Sequence, residues 1–201
     1  MKNYLKIIFL FLTSILLINP TLAQTSDNDL TNYENIREQA KILYIGNQHD
    51  QAQKHINTIP DKEKQPFDYY LIGLTSKDYK FAIKAYEQAI ALDEKYYQAY
   101  FNLAEVYFNL QNFDKAIENY KLAIKYKKDF AYAHYNLGCV YLETKDYNNA
   151  RKSFESAIKI NPKEPDYYYN LGYTYKKMNN EKRATKALSL YNELIKERTA
   201  N

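Results

Sequence analysis

Apolar residues recur along this chain at two spacings, one nested inside the other. The inner spacing is helical: Tyr100, Leu103, Ala104 and Tyr107 mark one stripe, and Ala116, Tyr120 and Ala123 mark a second. Polar pairs separate such stripes at Gln111 and Asn112, Lys145 and Asp146, and Asn179 and Asn180, as tight turns require. The outer spacing is 34 residues. It relates Ala82, Ala116, Ala150 and Ala184; Leu103, Leu137 and Leu171; Tyr107, Tyr141 and Tyr175; and Tyr86, Tyr120, Phe154 and Leu188. A fixed period of this length marks a repeat architecture, in which one unit cannot bury its apolar face alone. Two helices per unit follow, in units 97–130, 131–164 and 165–198. Before them, 66–96 reads as a unit shortened by about three residues near its first turn. Residues 33–65 read as a degenerate unit that keeps Ala40, Leu43, Ala52, Ile56 and Ile59.

The small residues have a packing reason. Gly138 and Gly172 fall in mid-helix, where Gly costs about 1 kcal/mol relative to Ala, so a close helix crossing must offset the loss. Unit 131–164 carries His134, Leu137-Gly138, Tyr141, Ala150, Phe154, Ala157 and Pro162 in order. That order resembles the tetratricopeptide repeat. The resemblance covers roughly five units from residue 33 onward and departs from the pattern at Ala104, Lys128, Leu188 and Tyr191. It implies an all-α fold, a right-handed α-solenoid of stacked antiparallel helix hairpins, forming a single domain over 33–198. The departures at Leu188 and Tyr191 suit a terminal cap over 181–197, with Lys186, Glu193, Lys196 and Glu197 outermost.

Ahead of the repeats, Lys2 and Lys6 precede an apolar run from Ile7 to Ile18, broken by Pro20. This predicts a secretory signal peptide over 1–23, with Ala23 before the cleavage point and Gln24 as the mature N-terminus. The run is too short for the ~20 apolar residues that span a bilayer, so no stable membrane insertion is expected after cleavage. Polar residues 24–32 predict a disordered segment. Export to a periplasmic or extracellular compartment leaves Cys139 without an intramolecular mate; it reads as a small apolar residue on a helix, with a reactive or intermolecular thiol as the alternative.

Composition then excludes several classes. Of 201 residues, 23 are Tyr and only 4 are Gly, which suits helices packed through amphipathic rings better than a turn-rich β fold. Loss of Lys2 and Lys6 with the leader lowers 28 basic residues to 26 against 24 acidic ones. So small a surplus, interrupted by Glu118, Asp129, Glu143 and Glu181, does not predict nucleic-acid binding. His49, His55 and His134 stand in no metal or catalytic spacing, and no phosphate-binding loop is present, so neither enzyme activity nor a cofactor is expected.

The candidate site lies on the concave face that such a solenoid lines with the first helix of each unit. One column holds Tyr70, Phe101, Tyr135 and Tyr169; the next holds Asn102, Asn136 and Asn170; a third holds Glu105, Cys139 and Tyr173, with Phe108, Leu142 and Lys176 beyond it. An aromatic column beside an amide column suits an extended peptide, because an amide both donates to and accepts from a backbone. Two alternatives stand beside this: the amides belong to the repeat pattern itself, and the rings are partly buried against the neighbouring unit. The family's two-carboxylate clamp is not expected, since Phe101, Glu105, Tyr132, Tyr135 and Asp166 stand where cations would be required. Taken together, these features predict an exported, non-catalytic module that binds a protein or peptide, with envelope assembly or export as the process by family analogy. The alternative is a self-assembling scaffold, with exposed Tyr and Phe docking a second copy.

Overall fold

The computed structural model describes residues 20–200, with side chains from residue 29 onward. Most of the predicted signal peptide therefore lies outside the described residues. Among the described residues the chain is all-α, with ten α-helices, one 3-10 turn and no strand. No described helix is long and apolar enough to cross a membrane. The single domain expected over 33–198 divides between Lys64 and Gln65 into two compact units. The division falls where Pro60 and the extended residues Lys64 and Gln65, ahead of Pro66, interrupt helical backbone.

The first unit is one hairpin, α1 (Pro20–Ile45) and α2 (His49–Asn57), followed by the 3-10 turn Asp61–Glu63. Residues 24–32 lie within α1. From Thr21 to Ile45 there is neither Gly nor Pro to end the helix that Pro20 opens. Ala40, Ala52, Ile56 and Ile59 are buried, and Arg37, also buried, donates to Glu34 and to the Glu63 carbonyl, both at 2.9 Å. The turn is thereby tied back onto α1.

The second unit contains four hairpins: α3 (Pro66–Thr75) with α4 (Tyr79–Leu92), α5 (Tyr97–Asn109) with α6 (Phe113–Tyr126), α7 (Ala131–Glu143) with α8 (Tyr147–Ile160), and α9 (Pro165–Lys177) with α10 (Glu181–Ala200). Each helix packs on the next along the chain, as in an α-solenoid. The turns inside three hairpins are built alike. Gln111, Lys145 and Asn179 adopt left-handed backbone, with φ of 57°, 60° and 56°. The next residue's N–H reaches back to close the helix end, as in Asn112 to Tyr107 O at 2.9 Å and Asp146 to Tyr141 O at 2.8 Å. Asn112, Asp146 and Asn180 then cap the second helix, accepting from the backbone N–H three residues on. The helix α3 has 10 residues where α5 has 13, and its end at Ser76 is extended rather than left-handed. The shortening expected in 66–96 is thus the last turn of its first helix.

The core runs through this unit between the two helix layers, with Ala82, Tyr86, Ala116, Tyr120, Ala150, Phe154 and Ala184 all buried. At Gly138 an added Cβ would lie 2.6 Å from the Phe154 ring, so Gly is what lets the ring lie against the backbone of α7. On α10, Ala184 and Ala187 are buried while Lys186, Glu193, Lys196 and Glu197 are exposed, the polar outer surface expected of a last helix.

Candidate functional site

All nine residues of the predicted site lie on first helices of the second unit: α3, α5, α7 and α9. The aromatic column occupies the fifth position of each. Tyr70 packs on Tyr86 and Tyr96, with centroids 6.1 and 5.4 Å away. Phe101 packs on Tyr120 and Phe130 at 5.7 and 4.9 Å, and Tyr135 on Phe154 and Tyr167 at 5.7 and 4.9 Å. These three rings fill the space between helix layers and are half-buried. Tyr169, beside Tyr191, keeps 49% of its surface exposed. Of the two alternatives, partial burial accounts for Tyr70, Phe101 and Tyr135, while Tyr169 faces outward.

The amide column links successive hairpins. Asn102 donates to the Tyr70 hydroxyl at 3.2 Å and to Gln98 O at 2.9 Å. Asn136 donates to Glu105 Oε1 at 3.0 Å, and Asn170 to the Tyr135 hydroxyl at 2.7 Å. A carbonyl and a carboxylate only accept, which fixes the orientation of the Asn102 and Asn136 amides. Each Asn therefore spends donors on the preceding first helix. The choice of acceptor has a simple cause: where the fifth position carries Tyr, its hydroxyl is available; where it carries Phe101, the amide turns to Glu105 four residues on.

The third column follows suit. Glu105 is half-buried, and loss of water pushes its carboxyl above the ordinary glutamate range, with the Asn136 bond pulling the other way. Burial pushes the Cys139 thiol up to about 11, the Tyr135 hydroxyl countering only in part. A thiol so raised stays protonated and is a poor nucleophile. Burial likewise raises the Tyr120 and Tyr135 hydroxyls far above their usual range. Tyr173 is 42% exposed, with the Lys177 ammonium 5.1 Å from its ring centroid. Among the described residues no group of His, Cys, Asp or Glu could hold a metal ion.

Two cavities open on this face. One, of about 330 Å³, lies between α5 and α7 and is lined by Glu105, Phe108, Asn109, Tyr120, Asn136 and Cys139. The other, of about 420 Å³, lies between α7 and α9, where Tyr169, Asn170 and Tyr173 meet Lys145, Tyr147 and Lys177. Asn109, Glu143, Lys145, Tyr147 and Lys177 also line these cavities, outside the predicted columns. Asn109, Glu143 and Lys177 are 34 apart, one place beyond the column of Phe108, so the period itself held the signal.

Comparison with known proteins agrees with this geometry. A family model described as TPR repeat matches residues 76–111, 106–145 and 138–179, and one described as tetratricopeptide repeat matches 165–197. None of the curated proteins matches the sequence. Among solved structures, a crystal structure of MamA is 21% identical with a TM-score of 0.74, covering 81% of this chain and 97% of that one. A double mutant of MamA RS-1 is 17% identical with a TM-score of 0.76, covering 84% and 97%. A fragment of MamA from Desulfovibrio magneticus RS-1 is 16% identical with a TM-score of 0.74, covering 82% and 96%. Identities this low establish likeness of fold alone.

Proposed function

Because this chain belongs to the tetratricopeptide repeat family, we propose that it is a non-catalytic protein-interaction module that holds an extended peptide segment of a partner across α5, α7 and α9. The observation that carries this reading is the pair of cavities on that face, the one between α7 and α9 bordered by the exposed rings of Tyr169 and Tyr173. Exposed rings beside polar groups are what peptide contacts use. The Asn amides take part through their oxygens, since each commits at least one N–H to the preceding first helix. Export, with action in envelope assembly or secretion, is the cellular setting we propose. It rests on the Lys2, Lys6 and Ile7–Ile18 leader pattern. A self-assembling scaffold is the second reading, favoured by Ile42 and Ile45 on α1, which are 69% and 79% exposed.

A photo-crosslinking side chain placed at Tyr173, and separately at exposed Lys152 on α8, tests these readings in the native host. The groove reading expects a discrete adduct with another protein from position 173 and none from 152. An adduct from 152 alone overturns it. Adducts only between copies of the chain, with matching dimers in sedimentation, favour the scaffold.

A further inference from the structure

We propose that the cavity between α5 and α7 receives a basic side chain of the bound peptide, with Glu105 as its counter-ion; this rests on the peptide-binding reading above. The geometry has three parts. Glu105 projects into a cavity of about 330 Å³, large enough for a Lys or Arg side chain. Its only hydrogen bond among the described residues is the 3.0 Å contact from Asn136, which occupies one oxygen, and it forms no ion pair there. The cavity is also lined by Phe108 and Asn109, three and four residues on along α5, and by Tyr120. Carboxylates taken out of water are ordinarily paired with a cation, because burial alone disfavours the charge. The half-buried carboxylate of Glu155 obeys that rule, with Arg151 at 2.6 Å. Glu105 does not, and no Lys, Arg or His lines its cavity.

A basic side chain fits what is missing. The ammonium or guanidinium brings the charge and donates to the second carboxylate oxygen and to amide oxygens at the rim. Its aliphatic stem lies against Phe108, and the ring faces favour a cation. An acidic or aliphatic side chain would leave Glu105 desolvated and uncompensated. The site therefore selects by charge, and in the sense opposite to a cationic clamp for a carboxylate tail.

The probe is an array of dodecapeptides, randomised except for a central position fixed as Arg, Lys, Gln or Glu, incubated with the folded chain and its variants. The native protein is expected to prefer basic centres over Gln by about tenfold or more. Glu105→Gln, which keeps the size and the acceptor for Asn136, is expected to reduce that preference to within about twofold. Glu105→Lys is expected to turn it toward Glu. Circular dichroism confirms folding of each variant, and the isosteric Gln variant carries the test if the Lys variant does not fold. Peptide binding without a basic preference, or a preference that survives in Glu105→Gln, overturns the inference while leaving the groove reading intact. Failure of the folded native chain to retain any peptide overturns both.

Discussion

The joint between α5 and α7 and the joint between α7 and α9 share one register and differ in chemistry. At the second, Tyr135 offers a hydroxyl, Asn170 takes it at 2.7 Å, and the ninth position below is Cys139, kept neutral by burial. At the first, Phe101 has no hydroxyl, and Asn136 takes Glu105 instead. Two positions, the fifth (Tyr135 or Phe101) and the ninth (Cys139 or Glu105), thus separate a joint closed by a neutral hydrogen bond from one that retains a desolvated carboxylate beside a cavity. A repeat protein can hold its stacking geometry constant while such swaps change what one joint binds.

The largest expected effect tests the register that both joints assume. Gly138→Leu places a side chain where even a Cβ meets the Phe154 ring at 2.6 Å. The expected loss is ~1–3 kcal/mol or more, whereas exposed Lys145→Ala should change stability little. Chemical denaturation of the two variants decides it, and equal shifts would mean that α7 does not cross α8 at Gly138.

Next, the two amides should differ. Asn136→Ala strips a half-buried carboxylate of its donor and should cost about 1–3 kcal/mol, while Asn170→Ala forfeits a neutral bond worth about 0.5–1.5 kcal/mol. Better helix propensity of Ala offsets part of each loss equally. Equal midpoints in urea would erase the distinction between the joints.

Glu105→Gln should raise the melting temperature at neutral pH. The folded chain holds the Glu105 proton more tightly than the unfolded chain does, since burial raises its pKa. Stability contributed by that proton is present below the ordinary glutamate range and is lost as pH rises through the raised one. The advantage of Gln should therefore shrink as pH falls through that window, which melting curves from pH 7 down to pH 4 would follow. A variant less stable than the native chain at pH 7 would contradict it.

The smallest effect concerns Tyr167, whose buried hydroxyl has no partner among the described residues and is pushed up to about 12 by burial. Tyr167→Phe removes an unsatisfied polar group beneath Tyr135 and should leave stability unchanged or slightly improved. A clear loss by calorimetry would reveal a bond to that oxygen.

The period of 34 made the helices of the last three hairpins legible, because burying one stripe per helix leaves an unmistakable pattern in Leu103, Leu137 and Leu171 or Ala116, Ala150 and Ala184. The turns were visible only as polar pairs. Left-handed backbone at Gln111, Lys145 and Asn179 carries no Gly to announce it. The site was legible as columns but not as bonds. Whether an Asn amide faces outward or back along the stack depends on a residue 31 to 35 positions earlier, a hydroxyl at Tyr70 or Tyr135 and a carboxylate at Glu105. The division after Lys64 and the helical backbone over 24–32 follow from how far helices propagate, which composition does not specify.

The charge state of Glu105 can be measured without any partner, by following its side-chain carboxyl carbon by NMR through an acid titration of the folded chain. A desolvated carboxylate with no cation beside it titrates above the ordinary glutamate value of about 4.3. Addition of a basic-centred peptide should draw that titration downward. A free-chain value at or below the ordinary one, unmoved by such a peptide, would contradict the carboxylate pocket at the α5–α7 joint.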